Sequence, residues 1–215
     1  MYKRQTLEEA IAKIKPLDHN AMEIAQKRWD SIAKPLHSLG KLETLLIQIA
    51  GITGNAEVDL SRRGLIAMCA DNGVVEEGVT QTGQEVTAIV AENFLKYDTS
   101  VGVMCKQNHA EIFPVDMGMV TDTKVRTDHK IAYGTQNMTK GPAMTREQAV
   151  KGLEAGIDMV RELNDKGYRI LATGEMGIGN TTTSSAVASV LLKQPVEEMT
   201  GRGAGLTLSL IHISE

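Results

Sequence analysis

Three short apolar runs, separated by segments of helical period, constrain the fold of this chain more than any other feature. The runs are Gly64–Ala70, Glu111–Asp116 and Tyr168–Thr173. Each stops at polar or glycine-rich residues, as a buried strand does where it opens into a loop. Helical patterns fill the intervals, at residues 84–97, 99–107 and 145–164, and Thr145 with Gln148 is expected to cap the last of them. This alternation predicts an α/β fold, in which a parallel, Rossmann-like sheet carries helices on both faces.

The first 58 residues show only helical patterns. A run at Leu7–Ile14 is stopped by Pro16, Asp18 is placed to cap a second helix that ends near Pro35, and Ser38 opens a third. We therefore predict a small N-terminal helical lobe ahead of the α/β domain. The predicted boundaries are 1–58 for the helical segment, 59–205 for the α/β domain and 206–215 for a tail.

Composition excludes several classes of function. The chain has 215 residues, 23 basic against 27 acidic side chains and only 3% aromatics, so it lacks the basic stripe and stacking platforms of a nucleic-acid binder. No apolar run reaches the roughly 18 residues that span a bilayer, and no signal-peptide pattern precedes the first helix. We expect no membrane association and a cytoplasmic location.

Cys69 and Cys105 lie in apolar stretches and are expected to be reduced core residues. The five histidines show no spacing for a metal site.

The loop GEMGIGNTTT, at Gly174–Thr183, leaves a predicted strand and enters a helix. Its glycines let the backbone approach a ligand, and the helix N-terminus supplies free N–H groups and a positive dipole end that suit a phosphate. The spacing matches neither the P-loop nor the dinucleotide fingerprint. The alternative is a tight turn capped by Asn180 and the threonines, with no ligand.

Glu175 favours the ligand-binding interpretation of this loop. A carboxylate beside a phosphate site repels the phosphate, so its presence suggests contact with another part of a ligand, such as ribose hydroxyls or an N–H group. The alternative is a solvated acid that points away.

A second long loop, residues 71–87, follows the first predicted strand. Thr80 and Gln84 can offer hydrogen bonds to a small planar ligand, although turn and cap chemistry explains them equally well. Asp116 ends the next strand at the same edge of the sheet, where it either binds ligand or caps the loop.

Taken together and in order, six stretches resemble the nicotinate-nucleotide:dimethylbenzimidazole phosphoribosyltransferase family of cobamide biosynthesis. They are SLGKLE (Ser38–Glu43), ADNGVVEEGVTQTGQEVT (Ala70–Thr87), PVDMGM (Pro114–Met119), GTQNMTKGPAMT (Gly134–Thr145), GEMGIGNTT (Gly174–Thr182) and TGRGAG (Thr200–Gly205). The pair GEMGIGNTT and TGRGAG is the most specific part of the resemblance.

The resemblance implies a homodimer without a cofactor that transfers 5-phosphoribose from nicotinate mononucleotide to 5,6-dimethylbenzimidazole. It assigns the catalytic carboxylate to Glu175. It assigns the phosphoribosyl group to Gly177, Gly179, Asn180, Thr181, Thr182, Gly201, Arg202 and Gly203. It places the acceptor base beside Thr80, Gln84, Met176 and Ile178.

The chain departs from the family pattern in three places. PLHSLG stands where the family usually has PPGSLG, and Asn72 where many members have histidine. The family match stops after Gly205, and LTLSLIHISE is expected to be non-native sequence. The family's general-base glutamate has no counterpart here, so we expect an incomplete phosphoribosyl-binding domain with impaired turnover.

Two alternatives from other classes remain at this point. A non-catalytic nucleotide-binding protein would keep the phosphate site without turnover. The absence of the dinucleotide fingerprint argues against an oxidoreductase.

Overall fold

The computed structural model describes residues 5–203. The helices are α1 (Leu7–Ala12), α2 (His19–Ser31), α3 (Lys41–Thr53), α4 (Glu85–Lys96), α5 (Ser100–Gln107), α6 (Arg146–Asp165), α7 (Asn180–Leu192) and α8 (Val196–Met199). The strands are β1 (Arg63–Ala70), β2 (Ala110–Gly118) and β3 (Ile170–Met176), and a 3-10 helix spans Gly73–Glu77. Residues 8–61 form one compact unit, and the other described residues, 5–7 and 62–203, form a second. The domain boundaries drawn from the sequence stay predictions, and the expected tail at 206–215 lies outside the described residues.

The unit of residues 8–61 is helical, as the N-terminal pattern predicts. Asp18 caps α2, where its Oδ1 accepts a hydrogen bond of 2.9 Å from the Ala21 N–H. The third helix begins at Lys41 rather than at Ser38, because Gly40 occupies the N-cap with a φ of 54°. That left-handed backbone suits glycine, and it sets the start of the helix after the turn.

The sheet is parallel throughout, with the order β2-β1-β3. Alternate residues of β1 face opposite sides, because side chains in a strand have a period of two. Ala67 and Cys69 pack against α4, and Ile66 packs against Met159 and Leu163 of α6. The structure therefore confirms the predicted α/β fold, a parallel sheet with helices on both faces.

The third strand extends further than its sequence suggests. β3 covers Ile170–Met176, whereas the apolar pattern predicted Tyr168–Thr173 and assigned Gly174 and Glu175 to a loop. The extension forms because Gly174 pairs with Ala67 of β1, and Glu175 with its neighbour Met68. Pairing with a central strand thus overrides the loop preference of glycine.

The carboxyl ends of the strands meet at one edge of the sheet, where two buried carboxylates organise the following loop. Asp71 accepts a hydrogen bond of 2.8 Å from the Val120 N–H, and Asp116 accepts one of 2.8 Å from the Met119 N–H. The Lys130 ammonium lies 3.1 Å from the second oxygen of Asp116. Of the two roles left open for Asp116, the structure shows the capping role.

The amphipathic pattern of α6 begins at a capping box, as predicted. The Thr145 hydroxyl accepts a hydrogen bond of 3.1 Å from the Gln148 N–H, and the Gln148 side chain accepts one of 2.9 Å from the Thr145 N–H. This reciprocal pair satisfies two N–H groups that a helix start leaves free. It fixes the point at which the long connection after β2 enters the helix.

Candidate functional site

The turn between β3 and α7 is three residues long, and its two glycines allow it to pack against the end of β1. A Cβ atom on Gly177 would overlap the Ala70 carbonyl oxygen and lie 2.9 Å from Nδ2 of Asn72. Gly179 has a φ of 85°, and a Cβ atom there would lie 2.9 Å from Val75. Only glycine permits this approach without displacing the turn.

A cavity of about 360 Å³ lies beside the first turn of α7. The first N–H groups of a helix have no intrahelical acceptor, and the dipole makes this end positive. Lining residues come from α7 and from the segment after α8; they are Asn180, Thr181, Thr182, Ser184, Ser185, Thr200, Gly201 and Gly203. The cavity thus brings together five of the residues predicted to contact the phosphoribosyl group. Arg202 lies in the same segment and is exposed.

Glu175 is the second-last residue of β3 and reaches solvent at the entrance to the turn. Its carboxylate accepts a hydrogen bond from the Asn180 side-chain amide. Neighbouring atoms remove water from part of the carboxylate, which raises the pKa of Glu175 above its ordinary value, while the Asn180 hydrogen bond acts in the opposite direction. The hydrogen bond from Asn180 also restricts rotation of the Glu175 carboxylate.

The residues predicted to flank a base make contacts of other kinds. The Thr80 hydroxyl donates a hydrogen bond of 2.8 Å to the Thr82 carbonyl, which is local turn chemistry. The Gln84 amide donates one of 3.1 Å to the Asn72 carbonyl. Met176 packs against the hydrophobic cluster on the α4 side of the sheet. Together with Ile178, these residues lie outside the lining of the α7 cavity.

Three residues that the sequence analysis did not select hold the turn in place. The Ile178 N–H donates a hydrogen bond of 3.0 Å to the buried Thr87 hydroxyl. The Asn72 side chain donates one of 3.1 Å to the Ile178 carbonyl and accepts one of 2.9 Å from the Thr183 hydroxyl. The position of Asn72, two residues after the end of β1, was the available signal, since residues that follow parallel strands converge at one edge of the sheet.

A second cavity, of about 220 Å³, lies beneath the long connection at the ends of β1 and β2 and is mainly apolar. Its lining consists of Ala70, Met117, Gly118, Ile131, Ala132, Gly134, Thr135, Gln136, Ala143, Met144, Gln148, Ala149 and Gly152.

Cysteine chemistry does not contribute a nucleophile here. Both Cys69 and Cys105 are buried free thiols. Burial raises the pKa of the Cys69 thiol to about 12, and the negative charge of Glu175 adds to this effect, so the thiol stays protonated at neutral pH.

Over residues 5–203, no three His, Cys, Asp or Glu side chains converge in the manner of a metal site. Within the same residues, no helix has the length and apolar character of a membrane span.

The fold and the turn place this chain in the class of α/β proteins in which a parallel strand leads through a glycine turn into a helix N-terminus. A family model described as Phosphoribosyltransferase matches residues 14–212. The chain therefore belongs to this phosphoribosyltransferase family, which confirms the family expected from its motifs.

Known relatives support the same assignment. The nicotinate-nucleotide–dimethylbenzimidazole phosphoribosyltransferase of Ruminiclostridium cellulolyticum is 51% identical over 204 residues, which are 94% of this chain and 58% of that protein. The protein of the same name from Clostridium tetani is 47% identical over 203 residues, with 94% and 56% covered. The crystal structure of CobT from Thermus thermophilus matches with a TM-score of 0.84 and 34% identity, over 91% of this chain and 60% of that one. The chain thus spans somewhat more than half the length of these relatives.

Proposed function

We propose that this protein transfers 5-phosphoribose from nicotinate mononucleotide to 5,6-dimethylbenzimidazole, giving α-ribazole 5′-phosphate and nicotinate in cobalamin biosynthesis. The observation that carries the proposal is the cavity of about 360 Å³ in which the first turn of α7 faces Gly201 and Gly203. Free N–H groups, threonine hydroxyls and a positive helix end suit a phosphate monoester. The names of the relatives supply the substrate class.

The reaction requires two bond changes at C1′ of the ribose. The bond to the nicotinate ring nitrogen breaks with its electron pair staying on nicotinate, and a lone pair of the benzimidazole nitrogen forms the new bond on the opposite face. Attack on that face inverts the configuration and yields the α-glycoside. The remaining benzimidazole N–H then releases its proton to a base or to water. Positive charge develops at C1′ between the two events, so a fixed negative group nearby accelerates the transfer.

Glu175 supplies that negative group in this proposal. Its carboxylate projects at the entrance to the turn, one residue from the strand end, and the Asn180 amide fixes its direction. A carboxylate that is already oriented requires no reorganisation when charge develops at C1′. Its place near the phosphate site then serves the ribose side of the substrate.

Thr80, Gln84, Met176 and Ile178 flank the acceptor base in this proposal. Hydrogen bonds join the two segments that carry them, since Gln84 and Ile178 both bond to Asn72. We further infer a homodimer that acts in the cytoplasm without a cofactor, on small-molecule substrates and not on nucleic acid or membranes. The family resemblance supports the homodimer and the absence of a cofactor, and the composition supports the other expectations.

A product assay tests the proposed function. The protein is incubated with nicotinate mononucleotide and 5,6-dimethylbenzimidazole, and chromatography follows both products. We expect nicotinate and α-ribazole 5′-phosphate in equal amounts, each dependent on both substrates. Binding of nicotinate mononucleotide without any nicotinate release would instead support the non-catalytic nucleotide-binding protein.

The two glycines of the cavity wall allow a matched pair of substitutions. Gly203→Ala should weaken ribose 5-phosphate binding about tenfold, because φ is 52° there and a Cβ atom would lie 3.0 Å from the Thr181 hydroxyl. Gly201→Ala meets no protein atom within 4 Å, so any loss of affinity in that variant measures the approach of the ligand itself. Isothermal titration calorimetry measures both affinities, and equal wild-type affinity in both variants would remove this segment from the site.

The pKa of Glu175 is expected to depend on its hydrogen bond with Asn180. The Asn180 hydrogen bond lowers the pKa of Glu175 against the stronger, opposing effect of desolvation. Asn180→Ala should therefore raise this pKa further, whereas Thr181→Ala should leave it unchanged. Carboxyl carbon NMR in the folded protein measures the shift, and a lower pKa in the Asn180 variant would contradict the described contact.

A further inference from the structure

Asn72 uses both ends of its side-chain amide on the segment that follows β3. Its nitrogen donates a hydrogen bond of 3.1 Å to the Ile178 carbonyl, and its oxygen accepts one of 2.9 Å from the Thr183 hydroxyl. These two bonds bracket residues 179–182, where the Asn180 N–H donates to the Gly177 carbonyl at 3.1 Å and the N–H groups of Thr181 and Thr182 follow in the first turn of α7. One side chain thus fixes both sides of the segment that faces the proposed phosphate.

The peptide groups of Ile178 are held from two directions. Thr87, which is fully buried, accepts from the Ile178 N–H at 3.0 Å, while Asn72 binds its carbonyl. The Asn72 main-chain carbonyl in turn accepts from the Gln84 amide at 3.1 Å. Since trans peptide groups are planar, fixing both polar atoms of Ile178 fixes the direction in which the chain enters Gly179.

These two hydrogen bonds require a side chain that donates at one atom and accepts at another, as the Asn72 amide does. A carboxylate can accept from Thr183 but cannot donate to the Ile178 carbonyl, and it places a negative charge against that oxygen. An alkyl side chain makes neither bond. Asn137 provides a comparison elsewhere in the fold, because its amide joins the 3-10 helix to a neighbouring loop through Glu77 and Thr139 and makes no bond to the turn.

We propose that Asn72 is a positioning residue of the phosphoribosyl site, which orients the first turn of α7 for its ligand without touching that ligand. The inference rests on the proposed function for the identity of the ligand. The orientation of residues 179–182 can be measured separately.

The experiment compares Asn72→Ala, Asn72→Asp and Thr183→Val with Asn137→Ala as the control. Amide hydrogen exchange at residues 179–182 measures the order of the turn, calorimetry with ribose 5-phosphate measures affinity, and thermal unfolding measures stability. We expect Asn72→Ala to speed exchange at these amides and to weaken ribose 5-phosphate binding about tenfold, as two lost hydrogen bonds imply. Asn72→Asp and Thr183→Val should each have a smaller effect on amide exchange and on affinity than Asn72→Ala. The control should match the wild type in amide exchange and in affinity.

Wild-type exchange and affinity in Asn72→Ala would overturn the proposal. If Asn72→Ala fails to fold, Thr183→Val decides, since it removes one hydrogen bond and leaves Asn72 in place; unchanged exchange and affinity there would also overturn it. If the wild type itself does not bind ribose 5-phosphate, the proposed function fails, and exchange at residues 179–182 still decides whether Asn72 orders the turn.

Discussion

Replacement of Gly177 by valine is expected to abolish measurable binding of nicotinate mononucleotide. Even the first side-chain carbon would overlap the Ala70 carbonyl oxygen and approach Glu175 and Asn72 within 3 Å. The turn must therefore move away from the end of β1 and carry the N-terminus of α7 with it. Overpacking of this kind costs about 1–3 kcal/mol of stability, which leaves the fold available for the binding measurement.

The same substitution at Gly156 serves as the control. Gly156 lies on α6, where a Cβ atom meets nothing within 4 Å, so valine there should change neither the calorimetric affinity nor the fold. Wild-type affinity in a folded Gly177→Val protein would show that the turn does not form the binding site.

Glu175→Gln should lower the rate of nicotinate release by a factor of about 10²–10³, a loss typical of removing one preorganised electrostatic contact. Binding of nicotinate mononucleotide should change much less, because the positive charge at C1′ is greatest in the transition state. Glu147→Gln removes the same charge from an exposed ion pair with Lys151 on α6 and should leave the rate unchanged. Steady-state kinetics on both variants separates kcat from KM.

The pH dependence gives a second readout of the same carboxylate. Because desolvation raises the pKa of Glu175, its protonation should reduce the rate at a higher pH than an ordinary glutamate would as the pH falls. Glu175→Gln should lack this acid limb. Full wild-type rate in Glu175→Gln, or an unchanged acid limb, would remove Glu175 from the mechanism.

Local pattern was enough to predict most of the elements. The capping box at Thr145 and the N-cap at Asp18 involve residues three positions apart, so both were visible in the sequence. The extent of β3 was not visible, because Gly174 and Glu175 favour loops in isolation. Their pairing with β1, about a hundred residues away, keeps them in the strand.

The contacts that hold the candidate site could not be predicted in the same way. Asn72 bonds to residues 106 and 111 positions further along the chain, and only the parallel order of the strands brings them together. A polar residue after a strand end can serve a turn, a cap or a ligand, and Thr80 shows the first of these. The glycine turn was recognisable because its φ requirement and its place before a helix are local properties.

The most direct test of the account is to map where nicotinate mononucleotide binds. Two-dimensional amide NMR of the isotope-labelled protein, titrated with nicotinate mononucleotide, reports each backbone N–H separately. We predict the largest shifts at Asn180, Thr181 and Thr182 and at residues 201–203, where the cavity wall lies. Shifts confined to the apolar cavity beneath the long connection, around Gly134 and Gly152, with none at the start of α7, would contradict the proposed site.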